Sequence, residues 1–276
     1  MARAPLAPLV VVITGAGSGI GRACAERLAA AGHRVYGGDI HPEVPPFRSP
    51  VTLWSLDVDD DESCTRFVRQ VVESAGRIDV AFNNAGFGIA GPAEETSSVE
   101  AHAQLETNFF GVARMCREVL PVMRSQGGGL IVNMSSIGGL IALPFQAFYS
   151  AAKFAVEGYS EALRQEVAGF GVEVVLIEPS DFKTGFTERR RMVAGHTATS
   201  PYRTQASAVL AMAEKDELSG SDPSQVARLL ARIVTARRRR FRYTVGDPVI
   251  RITPLLKRVV PALLADRLMK AYWSRT

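Results

Sequence analysis

The run Leu9-Val10-Val11-Val12-Ile13-Thr14 passes directly into Gly15-Ala16-Gly17-Ser18-Gly19-Ile20-Gly21. A continuous, β-branched run bounded by glycines reads as a strand buried on both faces, which belongs in a covered parallel sheet. Residues 20–31 then carry helix formers such as Ala23, Arg27 and Ala30, and Gly32 closes them as a C-cap. The same rhythm repeats. Residues 34–39, 51–56, 78–83, 130–135, 172–178 and 241–245 read as further strands. Residues 60–75, 99–126, 148–169, 206–215 and 223–237 read as helices, with a break near Asn108. Asp60, Asp61 and Glu62 suit the positive end of the second helix dipole. Strand and helix alternating in this way require right-handed crossovers and an open, doubly wound α/β fold. The expectation is one domain with a parallel sheet of about seven strands and helices on both faces.

Bulk properties narrow the class. In 276 residues, 47% are hydrophobic and 22% charged, an ordinary globular balance with ample core material. No uninterrupted apolar stretch is long enough to span a bilayer, and residues 1–8 lack the pattern of a secretory signal. Cys24, Cys64 and Cys116 are too scattered for a disulfide framework or a zinc site. They read as thiols in a reducing, cytoplasmic compartment, with no metal expected. The net charge is +4, and much of the excess sits in Arg237–Arg240 with Arg242. A local run of this kind reads as a solvated helix end and argues against nucleic acid as a partner.

The glycine turn carries the first chemical signal. Side chains there would keep the backbone from approaching a pyrophosphate, and the following helix offers free N–H groups and a positive dipole end to that anion. A tight structural turn is the competing reading; the position after a strand and before a helix favours a dinucleotide. Asp39 ends the second strand, 18 residues after Gly21. Its carboxylate can accept the adenosine ribose hydroxyls and would repel a 2′-phosphate, so NAD is favoured over NADP. The alternative is a turn cap ahead of His41-Pro42.

Together with Asn83-Asn84-Ala85-Gly86, the lone Asn108, a serine 13 residues before Tyr149, and Tyr149-Ser150-Ala151-Ala152-Lys153, the chain resembles the short-chain dehydrogenase/reductase family. The resemblance runs from about residue 9 to residue 184. Residues 136–158 further resemble its hydroxysteroid and retinol dehydrogenase-like branch. A Rossmann fold and an alcohol dehydrogenase or carbonyl reductase are implied. In that resemblance Tyr149 is the general acid/base, and Lys153 tunes it and holds the nicotinamide ribose. Ser136 binds the substrate oxygen, and Asn108 orders a water leading from Lys153 to solvent. The cofactor contacts implied are Gly15, Ser18, Gly19, Ile20, Gly21, Asp39, Asp57, Val58, Asn84, Ala85, Gly86, Pro179 and Thr184, besides Tyr149 and Lys153. Physical chemistry supports the central pair: Tyr149 and Lys153 are i and i+4, and a nearby ammonium favours a phenolate. Taken singly, each residue also has a structural reading, such as a strand-end cap for Ser135 or Ser136. At Pro179-Ser180 the chain departs from the family's Pro-Gly.

The core is expected at residues 9–185, a substrate lid or plain surface excursion at 186–222, and an amphipathic extension at 246–276. Ile141, Leu143, Pro144, Phe145, Phe182 and Phe186 are expected beside the lid, as pocket lining or core. As lining, they point to a hydrophobic alcohol or ketone of steroid, retinoid or lipid type. The extension alternates leucines and valines with Lys257, Arg258, Arg267 and Lys270. It could cap the pocket, pack on a subunit or touch a membrane surface, the last disfavoured by Pro254 and Pro261. A homodimer or homotetramer is implied by the resemblance alone. A protein that senses the dinucleotide or acts as a scaffold without turnover is the alternative function, and the presence of Ser136, Tyr149 and Lys153 argues against it.

Overall fold

A computed structural model describes residues 7–248 together with positions 250, 251, 260, 264 and 267. Most of the amphipathic extension expected at 246–276 lies outside the described residues. In chain order the elements are β1 (Val10–Thr14), α1 (Gly19–Ala30), β2 (Arg34–Asp39), β3 (Val51–Ser55), α2 (Asp61–Ala75), β4 (Val80–Asn83) and β5 (Ile89–Ala90). There follow α3 (Ser98–Leu105), a π-helical turn (Glu106–Phe110), α4 (Gly111–Ser125), β6 (Gly129–Met134), α5 (Ala147–Val167) and β7 (Val172–Pro179). The chain continues with β8 (Arg191–Met192), α6 (Arg203–Leu218), α7 (Ser224–Thr235) and β9 (Arg242–Val245).

Seven strands form one parallel sheet in the order β3-β2-β1-β4-β6-β7-β9, the doubly wound Rossmann arrangement expected. Because β1 pairs with β2 on one side and β4 on the other, the strand order reverses between β1 and β4. That reversal opens a crevice at the carboxyl ends of these two strands, where such sheets receive ligands.

Two apolar cores cover the sheet. Cys24 and Leu28 of α1 pack with Val226, Leu230 and Ile233 of α7 on one face. Phe67 and Val71 of α2, Met115 and Val119 of α4, and Val156 and Leu163 of α5 fill the other. Local chemistry fixes the helix ends. The Asp60 carboxylate caps α2 by accepting the Glu62 N–H at 3.0 Å, and left-handed Gly76 ends that helix. All three cysteines are buried and unpaired. Among the described residues no helix is long and apolar enough to cross a membrane.

The helix break expected near Asn108 is the π-helical turn itself. The segment at 186–222 holds one element that periodicity did not show: β8 pairs in parallel with β5, matching Ile89 to Arg191 and Ala90 to Met192. A two-residue bridge has no periodicity to read.

Candidate active site

The end of β6 sorts two adjacent serines by the alternation of a strand. Ser135 points inward, 2% exposed, and a β-carbon on Gly139 would lie 2.7 Å from its Oγ. Ser136 faces the other way. Its Oγ accepts the Gly138 N–H at 3.0 Å. A β-carbon on Gly138 would lie 3.1 Å from Tyr149 Cε1 and 3.4 Å from Ser136 Oγ, so hydroxyl and phenol meet above this glycine. The serine chosen by its spacing to Tyr149 is therefore the one that reaches it.

Tyr149 and Lys153 lie one turn apart on α5, with Lys153 Nζ 5.8 Å from the Tyr149 ring centre. Lys153 is buried and donates to Met134 O at 3.0 Å. Asn108 arrives from the π-helical turn, fully buried. Its Oδ1 accepts the Phe87 N–H at 3.0 Å and its Nδ2 donates to Phe87 O at 2.9 Å. Each end of the Asn108 amide thus makes one hydrogen bond to the Phe87 backbone. A β-carbon on Gly86 would sit 2.9 Å from Asn108 Oδ1 and 3.9 Å from Lys153 Nζ. Gly86 therefore leaves open the space between those two side chains.

Burial pushes the Tyr149 phenol up to about 12, against the pull of a hydrogen bond with Ser136; Glu217 and Asp181 add to the rise, and Arg190 opposes it. The expected lowering by a neighbouring ammonium does not prevail here, because desolvation of the phenolate outweighs it. Burial also lowers Lys153 to about 8, with the Glu157 charge pushing back. At neutral pH the pair is a phenol beside an ammonium.

Residues 9–193 match the family model described as short chain dehydrogenase. The chain belongs to the short-chain dehydrogenase/reductase family. It is 41% identical over 245 residues to a 3-ketodihydrosphingosine reductase of Bacteroides thetaiotaomicron, covering 89% of this chain and 90% of that protein. It is 31% identical over 273 residues to the uncharacterized oxidoreductase YusZ of Bacillus subtilis, covering 95% and 97%. A short-chain dehydrogenase from Streptomyces avermitilis superposes with a TM-score of 0.80 at 30% identity, covering 98% of this chain and 100% of that one.

The dinucleotide edge of this short-chain dehydrogenase is made mostly of backbone. A β-carbon on Gly21 would lie 2.0 Å from Gly15 O, so only glycine lets α1 start so close to β1. Gly15 and Gly19 take φ of 65° and 52°, which glycine adopts without strain. Ser18 precedes α1 in an extended conformation and makes no side-chain cap, leaving the first N–H groups and its hydroxyl for an anion. Asp39 stands beside this turn: Oδ2 accepts the Gly17 N–H at 2.8 Å and Oδ1 accepts the His41 N–H at 3.1 Å. Asp39 thus caps the turn from the carboxyl end of β2. These residues fit a nicotinamide dinucleotide.

Thr14 was absent from the sequence-derived site. Its hydroxyl accepts the N–H groups of both Asn84 and Ala85 at 2.9 Å, while Asn84 Nδ2 donates to Thr14 O at 3.0 Å. The threonine locks the β4 exit onto the β1 exit across the crevice. Its only sequence signal was its place at the head of the glycine turn. Asn83, by contrast, points into the core and donates to Asn133 at 2.8 Å. Asp57 is exposed and accepts the Asp59 N–H at 2.9 Å, whereas Val58 is buried beneath Gly111 of α4. Pro179 ends β7, and Thr184 lies over Gly19, whose β-carbon would come within 3.4 Å of it. The loop after β7 therefore closes over the glycine turn. Ser180 replaces the family's usual glycine and accepts the Asp247 N–H at 3.0 Å. The missing space is supplied by Gly246, where a β-carbon would lie 2.1 Å from Ser180 Oγ.

The residues at 186–222 are folded down beside Tyr149. Phe186 meets the Tyr149 ring edge to face at 5.8 Å. Glu217 of α6 holds both the Thr187 hydroxyl and the Arg190 guanidinium. Glu100 accepts the Ala194 N–H at 2.7 Å, and His196 pairs with Glu95 at 2.8 Å. Of the apolar residues expected as lining, Leu143 lies by Gly138 near Tyr149, while Ile141 and Phe182 are buried, Phe182 in the α1–α7 core.

Proposed function

We propose that this protein is an NAD(H)-preferring carbonyl reductase that converts a lipid-like ketone to its alcohol. The observation that carries the reading is the meeting of Ser136, Tyr149 and Lys153, with the phenol protonated and the lysine charged at neutral pH. A protonated phenol is the form that reduction needs, because the carbonyl oxygen must gain a proton as it gains charge. The likeness to a 3-ketodihydrosphingosine reductase supports reduction and a long-chain ketone. Asp39 supports NAD(H), and a related short-chain dehydrogenase from Burkholderia phymatum, 29% identical with a TM-score of 0.80, is in complex with NAD.

When bound, the reduced nicotinamide supplies the hydride. Ser136 and Tyr149 both donate hydrogen bonds to the carbonyl oxygen and fix its orientation. Tyr149 passes its proton to that oxygen as negative charge develops. The Lys153 ammonium stabilises the phenolate left behind, and a water chain beyond Asn108 returns the proton. Phe186 and Leu143 form the apolar wall against the rest of the substrate. We further propose a homo-oligomer that pairs through the faces of the π-helical turn and α5, where Phe110 and Phe154 stand 44% and 42% exposed.

Tyr149→Phe tests the chemistry. Reduction of a long-chain ketone with NADH should fall about 10³-fold, while NADH binding measured by fluorescence persists. Undiminished turnover would refute the mechanism. In the native protein kcat/KM for reduction should decline as pH rises past about 8, where Lys153 loses its proton.

A further inference from the structure

We propose that Arg190 is a specificity-determining residue: its buried Nε–H binds a neutral oxygen, such as a hydroxyl, that the substrate carries close to its ketone. The proposal rests on the reading of the protein as a reductase of lipid-like ketones and names a polar feature of that substrate.

The cover at 186–222 is stapled to the core beside this arginine. The Arg191 N–H donates to Gly88 O at 2.9 Å, at the head of the β5–β8 bridge. A β-carbon on Gly88 would lie 2.9 Å from Phe186 Cζ and 3.8 Å from Arg190 Cγ. Phe186 is also the ring that meets Tyr149 at 5.8 Å. The aromatic ring against the catalytic phenol thus shares the space above Gly88 with the arginine stem. The charges of Arg190 and Glu217 both bear on the Tyr149 phenol, as groups at the same centre do.

The Arg190 side chain is 7% exposed, and its Nη2 donates to Glu217 Oε1. A carboxylate facing that edge of a guanidinium ordinarily takes Nη2 and Nε together as a fork. Glu217 instead spends Oε2 on the Thr187 hydroxyl. Arg190 Nε is therefore left buried with no hydrogen-bond partner among the described residues. A buried donor in this condition is costly, and it calls for an acceptor from outside the fold.

Charge decides which acceptor. Glu217 already neutralises Arg190. Asp181 adds a carboxyl from the loop after β7, close to the start of that pair: a β-carbon on Gly220 would lie 2.6 Å from Asp181 O and 2.9 Å from Glu217 O. A carboxylate or phosphate on the substrate would meet like charge here, whereas a neutral oxygen takes the Nε proton without that cost. Phe186 and Leu143 receive the hydrocarbon, so one polar oxygen beside the ketone is what this corner reads. A ketone lacking that oxygen leaves Nε unpaired, the condition under which sites discriminate most strongly.

The test compares kcat/KM for three ketones with NADH: a long-chain β-hydroxyketone, the ketone of the same chain length without the hydroxyl, and a γ-keto acid of matching length. The wild type should prefer the hydroxyketone over the plain ketone by about tenfold or more, and should take the keto acid least well. Arg190→Lys keeps a positive charge for Glu217 but puts a methylene where Nε stood, so the hydroxyketone preference should fall toward unity. Arg189→Lys, at the exposed neighbouring arginine, should retain it. Equal kcat/KM for hydroxyketone and plain ketone in the wild type would overturn the proposal whether or not the lysine variant folds. So would a folded Arg190→Lys protein with the preference intact, or a wild type that prefers the keto acid. No turnover of any of the three ketones would instead break the reductase reading, and this proposal with it.

Discussion

The glycine turn at the β1–α1 junction and the cover formed by residues 186–222 are held by different physics. At the turn, most contacts are backbone: left-handed glycines, the Gly21–Gly15 approach, and the N–H groups that Thr14 and Asp39 accept. In the cover, long side chains clasp partners far away in sequence, as in Glu217 with Arg190, His196 with Glu95, and Tyr202 with Glu94. The first arrangement tolerates almost no substitution because a single β-carbon collides with main chain. The second distributes its hold over the Glu217–Arg190 ion pair and side-chain hydrogen bonds. A turn built of backbone thus contrasts with a cover built of side chains.

The sharpest way to break this contrast is Gly21→Ala. With no space for a β-carbon, the variant should lose about 3 kcal/mol of stability and bind NADH about 100-fold more weakly. A modest effect, measured by denaturant melts and NADH titration, would mean that the turn is as adaptable as the cover. Glu217→Ala comes next. It strands Arg190, whose side chain is 7% exposed, and should cost about 2 kcal/mol once partial solvation is allowed for. It also frees Phe186 from its anchor, so KM for the ketone should rise with kcat nearly unchanged. A fall in kcat alone would place Glu217 in the chemistry rather than in the wall.

Asp39→Ala sharpens the cofactor side. Without the carboxylate, the preference for NADH over NADPH should drop about tenfold in kcat/KM ratios. The smallest effect is expected at Asp181→Asn. Burial and the neighbouring Glu217, Asp216 and Asp247 raise Asp181 from 3.8 to about 6. A carboxyl raised in the folded state binds protons better than when unfolded, so its destabilising charge develops as pH rises from about 4 to 6. The asparagine variant should therefore melt higher than wild type at pH 7 and the same at pH 3.5. Equal melting temperatures at both values would show that Asp181 carries no strain.

Much of the cofactor edge was legible because its signals are local. Gly15 to Gly21, Asp39 and Asn84 to Gly86 act through turns and strand ends whose geometry follows from neighbouring residues. The spacing of Tyr149 to Lys153 and back to Ser136 was legible for the same reason, since a helix and a strand end have fixed periods. Thr14 was not legible as a site residue because its role depends on β4 arriving beside β1. The pairings of the cover escaped because nothing in the order of residues says that Glu95 will meet His196, 101 positions later.

By itself the sequence determined a seven-stranded doubly wound sheet, its glycine turn and the spacing of Ser136, Tyr149 and Lys153, because periodicity and backbone sterics act over short stretches. Tertiary structure alone decided the protonation of the centre. Burial keeps Tyr149 a phenol and loosens the proton on Lys153. It also brought Arg242 of β9 against Glu157 of α5 and Glu178 of β7, a charge cluster that exists only once these three elements have packed.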